Sequence, residues 1–228
     1  MRYPRFASVT FAAVGLVCVL GGTATAAPTP TAGQDPARSC GAVRLSGSLP
    51  VPPAGMSVRQ TITIGEDCEL KTGPVHQVPA SAAAESPARG IAAAPSAGRQ
   101  LRSWNEMYDC CGIRMTGLYS TADWSTADGR VSTAATTATQ EWNREPWNAG
   151  WSLKSATDKQ DCATDCAVVN HEAHADFTYQ GIFDTSGDRY ANTHHSSVQL
   201  AGDGTADCAF DVELKNTFIG WNWQHGCE

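Results

Sequence analysis

Clustered basic residues are the first thing this sequence lacks. Its 228 residues carry 16 Lys and Arg against 23 Asp and Glu, a net charge of −7. The basic residues are scattered, so nothing builds the electrostatic footprint that nucleic acid or an anionic bilayer requires. Long apolar runs are missing after residue 20, which excludes a later helical membrane span. Catalytic signatures are missing too. There is no G-x-S-x-G, no S-x-x-K, no phosphate-binding glycine loop and no dinucleotide fingerprint. No internal repeat is present. The chain announces no chemistry, and no cofactor is predicted.

What is present begins with a leader. Arg2 and Arg5 precede an apolar run over residues 6–20, and Ala24-Thr25-Ala26 closes it with small residues. This is the pattern of a signal peptide over 1–26, cut after Ala26. The apolar run is too short to span a bilayer. Losing Arg2 and Arg5, and no acid, takes the charge from −7 to −9. The expected product is secreted and extracellular, with no nucleic-acid partner and no membrane insertion.

Cys18 leaves with the leader. Cys40, Cys68, Cys110, Cys111, Cys162, Cys166, Cys208 and Cys227 remain, an even set that predicts a disulfide framework in an oxidising compartment. Cys162–Cys166 is expected to close a small loop. Cys208 and Cys227 are expected in longer closures. A bond between the neighbours Cys110 and Cys111 would be strained, so each is expected to pair elsewhere.

Composition divides the chain. Residues 27–39 are rich in Pro, Ala and Thr and predict a disordered terminus. Residues 40–78 contain a β-branched run, Thr61-Ile62-Thr63-Ile64, and a shorter partner around Val43 and Leu45. They predict a small β-hairpin closed by Cys40–Cys68, as an accessory piece or a pro-segment. Residues 79–99 form an Ala/Pro-rich linker whose prolines and glycines break every helical window. Residues 100–228 form the main domain, long enough for one core.

Strand signals recur through that domain at 113–120, 150–155, 167–183, 189–200, 207–215 and 218–223. Residues 130–139 read as strand or, on their alanines, as helix. Many short strands with Gly/Asp turns predict an all-β, disulfide-braced sandwich or barrel-like domain.

The densest chemistry lies in 166–200, which holds four of the six histidines. Strand alternation puts Val169, His171, Ala173, Ala175, Phe177 and Tyr179 on a core face. Glu172, His174 and Asp176 then line the other face, about 7 Å between successive members. A two-residue Ser186-Gly187 turn sets His195 on that polar face, opposite Thr178; a bulged turn would bring His194 instead. The two-residue turn is favoured because it pairs apolar with apolar residues. Glu172, His174, Asp176 and His195 are the candidate catalytic or metal-binding set, although their spacing matches no established metal motif. The other reading is a solvated sheet face.

Trp142, Trp147 and Trp151 form the second candidate, a stacking surface for sugar rings; the bland alternative is core packing. Asp184, Asp188, Asp203 and Asp207 sit around turns and read as acceptors of backbone hydrogen bonds. Three functions follow in order. The first is an exported non-enzymatic binding or interaction module, with polysaccharide or another extracellular protein as partner. The second is a hydrolase using the His/Asp/Glu face. The third is a protease inhibitor presenting residues 158–165.

Overall fold

The computed structural model describes residues 39–50, 52–53, 55–80, 98–144 and 150–228. The expected leader, the terminus up to residue 38, most of the expected linker and Trp147 lie outside the described residues. All secondary structure within them is strand: β1 (Ser39–Leu49), β2 (Met56–Ile64), β3 (Leu70–Thr72), β4 (His76–Pro79), β5 (Arg99–Tyr108), β6 (Arg114–Ala127), β7 (Arg130–Trp142), β8 (Gly150–Gln160), β9 (Thr164–Cys166), β10 (Val168–Gln180), β11 (Ala191–Ala201), β12 (Ala206–Phe218) and β13 (Asn222–Cys227). These strands lie in one compact unit, Asp35–Glu228. They form two antiparallel sheets. One runs β1-β12-β11-β10-β8; the other runs β3-β2-β13-β5-β6-β7-β9, with β4 also paired to β2. The molecule is an all-β sandwich braced by disulfides.

Alternation builds each inner face. Cys208, Phe210, Val212 and Leu214 of β12 are buried, while Ala209, Glu213 and Lys215 face out. All six residues assigned to the β10 core face are buried. Burying a side chain such as Phe177 or Phe210 contributes about 2–3 kcal/mol, and this apolar layer supplies most of the cohesion. The alanines of β7 do not make it a helix. Thr133, Thr136, Thr137 and Thr139 favour extended backbone, and the strand pairs along β6 from Arg130 to Trp142.

Polar groups align the two layers. The Asn105 amide on β5 donates to the carbonyls of His195 and Asp211 in the facing sheet, both at 3.0 Å. Its oxygen accepts from the Trp223 indole at 2.6 Å and from Nδ1 of His194 at 2.9 Å. Nε2 of His194 then accepts from the Thr116 hydroxyl at 2.8 Å, which accepts from the Asn192 amide at 2.9 Å. The chain of donors requires a neutral His194.

Three bridges form among the described residues: Cys40–Cys68, Cys162–Cys166 and Cys208–Cys227. Cys208 and Cys227 pair with each other, tying β12 to β13 across the layers. The Cys40–Cys68 bridge links β1 to the turn after β2, again joining the two sheets. Cys110 and Cys111 are both free and exposed. The expectation that each pairs elsewhere is overturned, because every other cysteine of the described residues is already bridged.

Three further expectations are corrected. Residues 40–78 do not form a hairpin of their own. β1 lies against β12 and β2 against β13, in different sheets, so that Leu45 and Leu49 of one and Val58, Ile62 and Ile64 of the other turn into one shared core. The final strand begins at Asn222, since the turn at Gly220 (φ +85°) separates Phe218 from it. The β10–β11 register also differs. His195 faces His174 rather than Thr178, a slip of four residues, because residues 181–190 make a wider connection than a two-residue turn. An even slip preserves the faces, so His195 stays on the polar side and His194 is buried.

Candidate functional site

The polar face of the five-stranded sheet holds the sequence-derived set in rows. His174 stands between Thr157 of β8 and His195 of β11, and His195 stands next to Asp211 of β12. The His174 and His195 rings are 6.5 Å apart between centroids. Nε2 of His174 lies 3.2 Å from Asp176, and Nδ1 of His195 lies 3.8 Å from Asp211. Asp176 also accepts from Ser155 at 2.6 Å and Thr193 at 2.7 Å. Burial pushes its pKa up, but the two hydroxyls and His174 outweigh that and hold it below the usual range. Glu172 is exposed and pairs across the sheet with Lys159 and Ser197. Among the described residues no group of three or more His, Cys, Asp or Glu could hold a metal ion. The set stands together on a sheet face, where Ser155, Thr193 and His174 engage Asp176 while Glu172 faces out.

The tryptophan candidates divide. Trp142 is partly buried, with its ring 6.1 Å from Phe177 and the Arg144 guanidinium 5.0 Å over it. Trp151 is buried and tilted against Tyr179 at 5.7 Å. Neither lies open as a flat platform. Trp147 is outside the described residues. Of residues 158–165, the first three belong to β8, and Asp158 accepts from the buried His171 at 2.5 Å.

Trp151 leads instead to a cavity. At one end of the sandwich the layers part around a volume of about 360 Å³, within the range of small-molecule sites. One sheet supplies Trp151, Tyr179 and Phe218, with Tyr190 just before β11; the other supplies Met115, with Trp221 just before β13. The rings pack edge to face or tilted: Tyr179 and Tyr190 at 6.2 Å, Tyr190 and Trp221 at 6.4 Å, Phe218 and Trp221 at 5.5 Å. Cys110, Ile113, Phe183 and Ile219, with the polar Asp109 and Asn143, complete the lining. Ile113 and Phe183 are 51% and 66% exposed, and Ile182 beside Phe183 is 80% exposed. Among the described residues, three of the six large exposed apolar side chains thus gather at this end.

The wall that carries Phe183 and Tyr190 is shaped by Asp184. Its carboxylate accepts from the backbone amides of Gly187 (3.0 Å), Arg189 (2.6 Å) and Tyr190 (3.1 Å) and from the Ser186 hydroxyl (3.0 Å). Burial alone would raise its pKa; these donors, Arg189 and Tyr190 foremost, hold it at about 2. This is the turn role expected for Asp184, and it positions the cavity wall. The opposite lip is the β5–β6 turn. Asp109 accepts there from the amides of Cys111 and Ile113, both at 2.8 Å. Hydrogen bonding with the Cys111 sulfur pushes the Cys110 thiol up.

Sequence reasoning found Trp151 but missed Tyr179, Tyr190, Phe218 and Trp221 as partners. Their common signal was position: each stands within a few residues of a turn, where strand ends converge.

No protein family, no curated protein and no solved structure matches this chain.

Proposed function

We propose that this chain is an exported, non-enzymatic binding module that takes a small apolar, ring-bearing molecule, or a matching apolar side chain of an extracellular partner, into the aromatic cavity. The observation carrying this reading is the cavity itself, an aromatic lining with an exposed apolar rim of Ile113 and Phe183. Apolar burial supplies affinity in such a site, and tilted rings offer edges and faces to an aromatic guest. The leader, the acidic charge and three bridges support export. Titrating intrinsic tryptophan fluorescence with anilinonaphthalene sulfonate and naphthalene tests it, because Trp151 and Trp221 line the cavity. Saturable quenching is expected, weakened about fivefold by Phe183→Ala, which removes apolar contact at the exposed rim. A flat titration would overturn the reading.

A second reading, carbohydrate binding, is favoured by one observation on the outer face of the larger sheet. Trp104 and Tyr119 are direct cross-strand partners. The Trp104 ring lies over Gly226, where a Cβ would come within 2.0 Å of it, and the Tyr119 ring lies over Gly117. Two half-buried rings therefore lie flat on the sheet, a geometry that suits sugar faces. Burial and then the Glu106 carboxylate push both neighbouring phenols up, Tyr108 to about 12, so Tyr108 and Tyr119 remain donors. Binding of soluble glucan, chitin or xylan that is lost in Trp104→Ala and unchanged in Phe183→Ala would favour this reading over the cavity.

A further inference from the structure

Cys110 and Cys111 occupy the turn between β5 and β6, exposed, with their sulfurs 3.6 Å apart. Every other cysteine among the described residues is bridged. A bond between neighbours carries strain and is more easily reduced for it, but among the described residues no other cysteine competes for either sulfur. The turn also holds the pair ready. Asp109 binds the amides on either side of Gly112, and Gly112 takes the positive φ (+79°) that the reversal requires. Closing the bond brings the sulfurs from 3.6 Å to about 2.05 Å, a movement open to exposed side chains on a fixed turn.

The same turn is a lip of the cavity. Cys110 lines it beside Ile113. Cys110 also abuts the β12–β13 turn: a Cβ on Gly220 would stand 3.0 Å from its own Cβ. A change at the pair is therefore felt where Phe218 and Trp221 enter the cavity wall.

We propose that Cys110 and Cys111 are a covalent modification site: the neighbours close into a disulfide, and the closed ring forms part of the cavity mouth. The first half stands on the cysteine geometry alone; the second rests on the cavity reading above. The oxidant is a disulfide of a small thiol or of a thiol-exchange protein. One thiolate of the pair attacks it, forming a mixed disulfide and releasing one thiol. The neighbouring thiolate attacks that mixed bond and releases the second thiol. The pair loses two protons and two electrons, and the oxidant leaves as two thiols. Closure replaces two S–H donors at the lip with a polarizable, proton-free surface that suits an apolar guest.

The test begins with the full-length chain treated with glutathione disulfide, denatured, alkylated without reductant and cut with trypsin. Cleavage after Arg102 and Arg114 isolates residues 103–114, which contain both cysteines and no other. The expected peptide is unalkylated and lighter than the dithiol by two hydrogens. A doubly alkylated peptide, or one cross-linked to another peptide or a second copy, overturns the proposal. Anilinonaphthalene sulfonate is then titrated into the oxidised protein and into the Cys110→Ser/Cys111→Ser variant. A Kd differing about threefold or more is expected, with the oxidised form tighter. Equal affinities overturn the role at the mouth. Absence of probe binding to both forms brings down the cavity reading and the mouth role with it, while the peptide mass still decides the disulfide.

Discussion

Asn105 and the histidines near it show how a few polar atoms register two apolar layers. Each net hydrogen bond there contributes only about 1 kcal/mol, whereas an orphaned buried group costs about 1–3 kcal/mol. The network therefore acts by penalising misalignment. It also creates an acid sensitivity. Burial, with a smaller push from His174, lowers the pKa of His194 to about 3 against the opposing Asn105 bond; burial alone lowers His225 to about 4. Both folded values lie below the unfolded value of about 6.5. Full stability is present above that value and is lost as pH falls through it, because the unfolded chain takes up protons first. The expected loss at pH 5 is on the order of 2 kcal/mol per histidine. Asp176 and Asp184, whose pKa values are depressed, contribute losses only below about pH 4. Urea midpoints measured from pH 7.5 to 5 check this, and His225→Gln should flatten about half of the slope. A midpoint constant across that window would count against it. Asn105 itself was not legible in the sequence. Its strand points Leu101, Ser103, Asn105 and Met107 inward, so half of its core face is polar and the alternation reads as no strand at all.

Among the elements, β10 and β11 separate what periodicity can tell from what it cannot. Alternation assigned every residue of β10 to its correct face, since a half-buried strand has only two choices. It could not set the register, which belongs to the connection. There the Gly181–Asp184 reversal and the Asp184 carboxylate bind the 181–190 segment into a structure of its own. Side-chain-to-backbone hydrogen bonds of this kind leave no periodic trace. The cavity was illegible for a related reason, being assembled from strand ends of both layers. Asp184→Ala should release the segment. Amides of Gly187, Arg189 and Tyr190 are expected to exchange about tenfold faster or more, and affinity for the apolar probe should fall as Tyr190 and Phe183 lose their positions. Unchanged protection at those amides would show that something other than Asp184 holds the wall.

At the scale of the molecule, the cross-links and the strand pairing divide the chain differently. Each bridge lies on one side of the linker, Cys40–Cys68 before it and Cys162–Cys166 and Cys208–Cys227 after it. The fold ignores that boundary: Leu45, Leu49, Val58, Ile62 and Ile64 lie in the same core as the strands beyond the linker. A single cut introduced between residues 81 and 97 should therefore leave two fragments that co-elute in native buffer. The same fragments should part in denaturant without reductant, because no bridge joins them. Separation in native buffer would mean that the β1–β12 and β2–β13 pairings are too weak to hold the halves together.

Those two pairings also set a timetable. Among the described strands β1 pairs only with β12, and β2 depends for its place in the large sheet on β13. During synthesis β1 stays unpaired until β12 emerges, and β2, joined early by β3 and β4, keeps one edge bare until β13 does. Long-range pairing of this kind is slow to form, on the order of milliseconds to seconds. Bare strand edges invite association with other chains meanwhile. Completion of the fold is thus a late event, in which β12 and β13 capture β1 and β2.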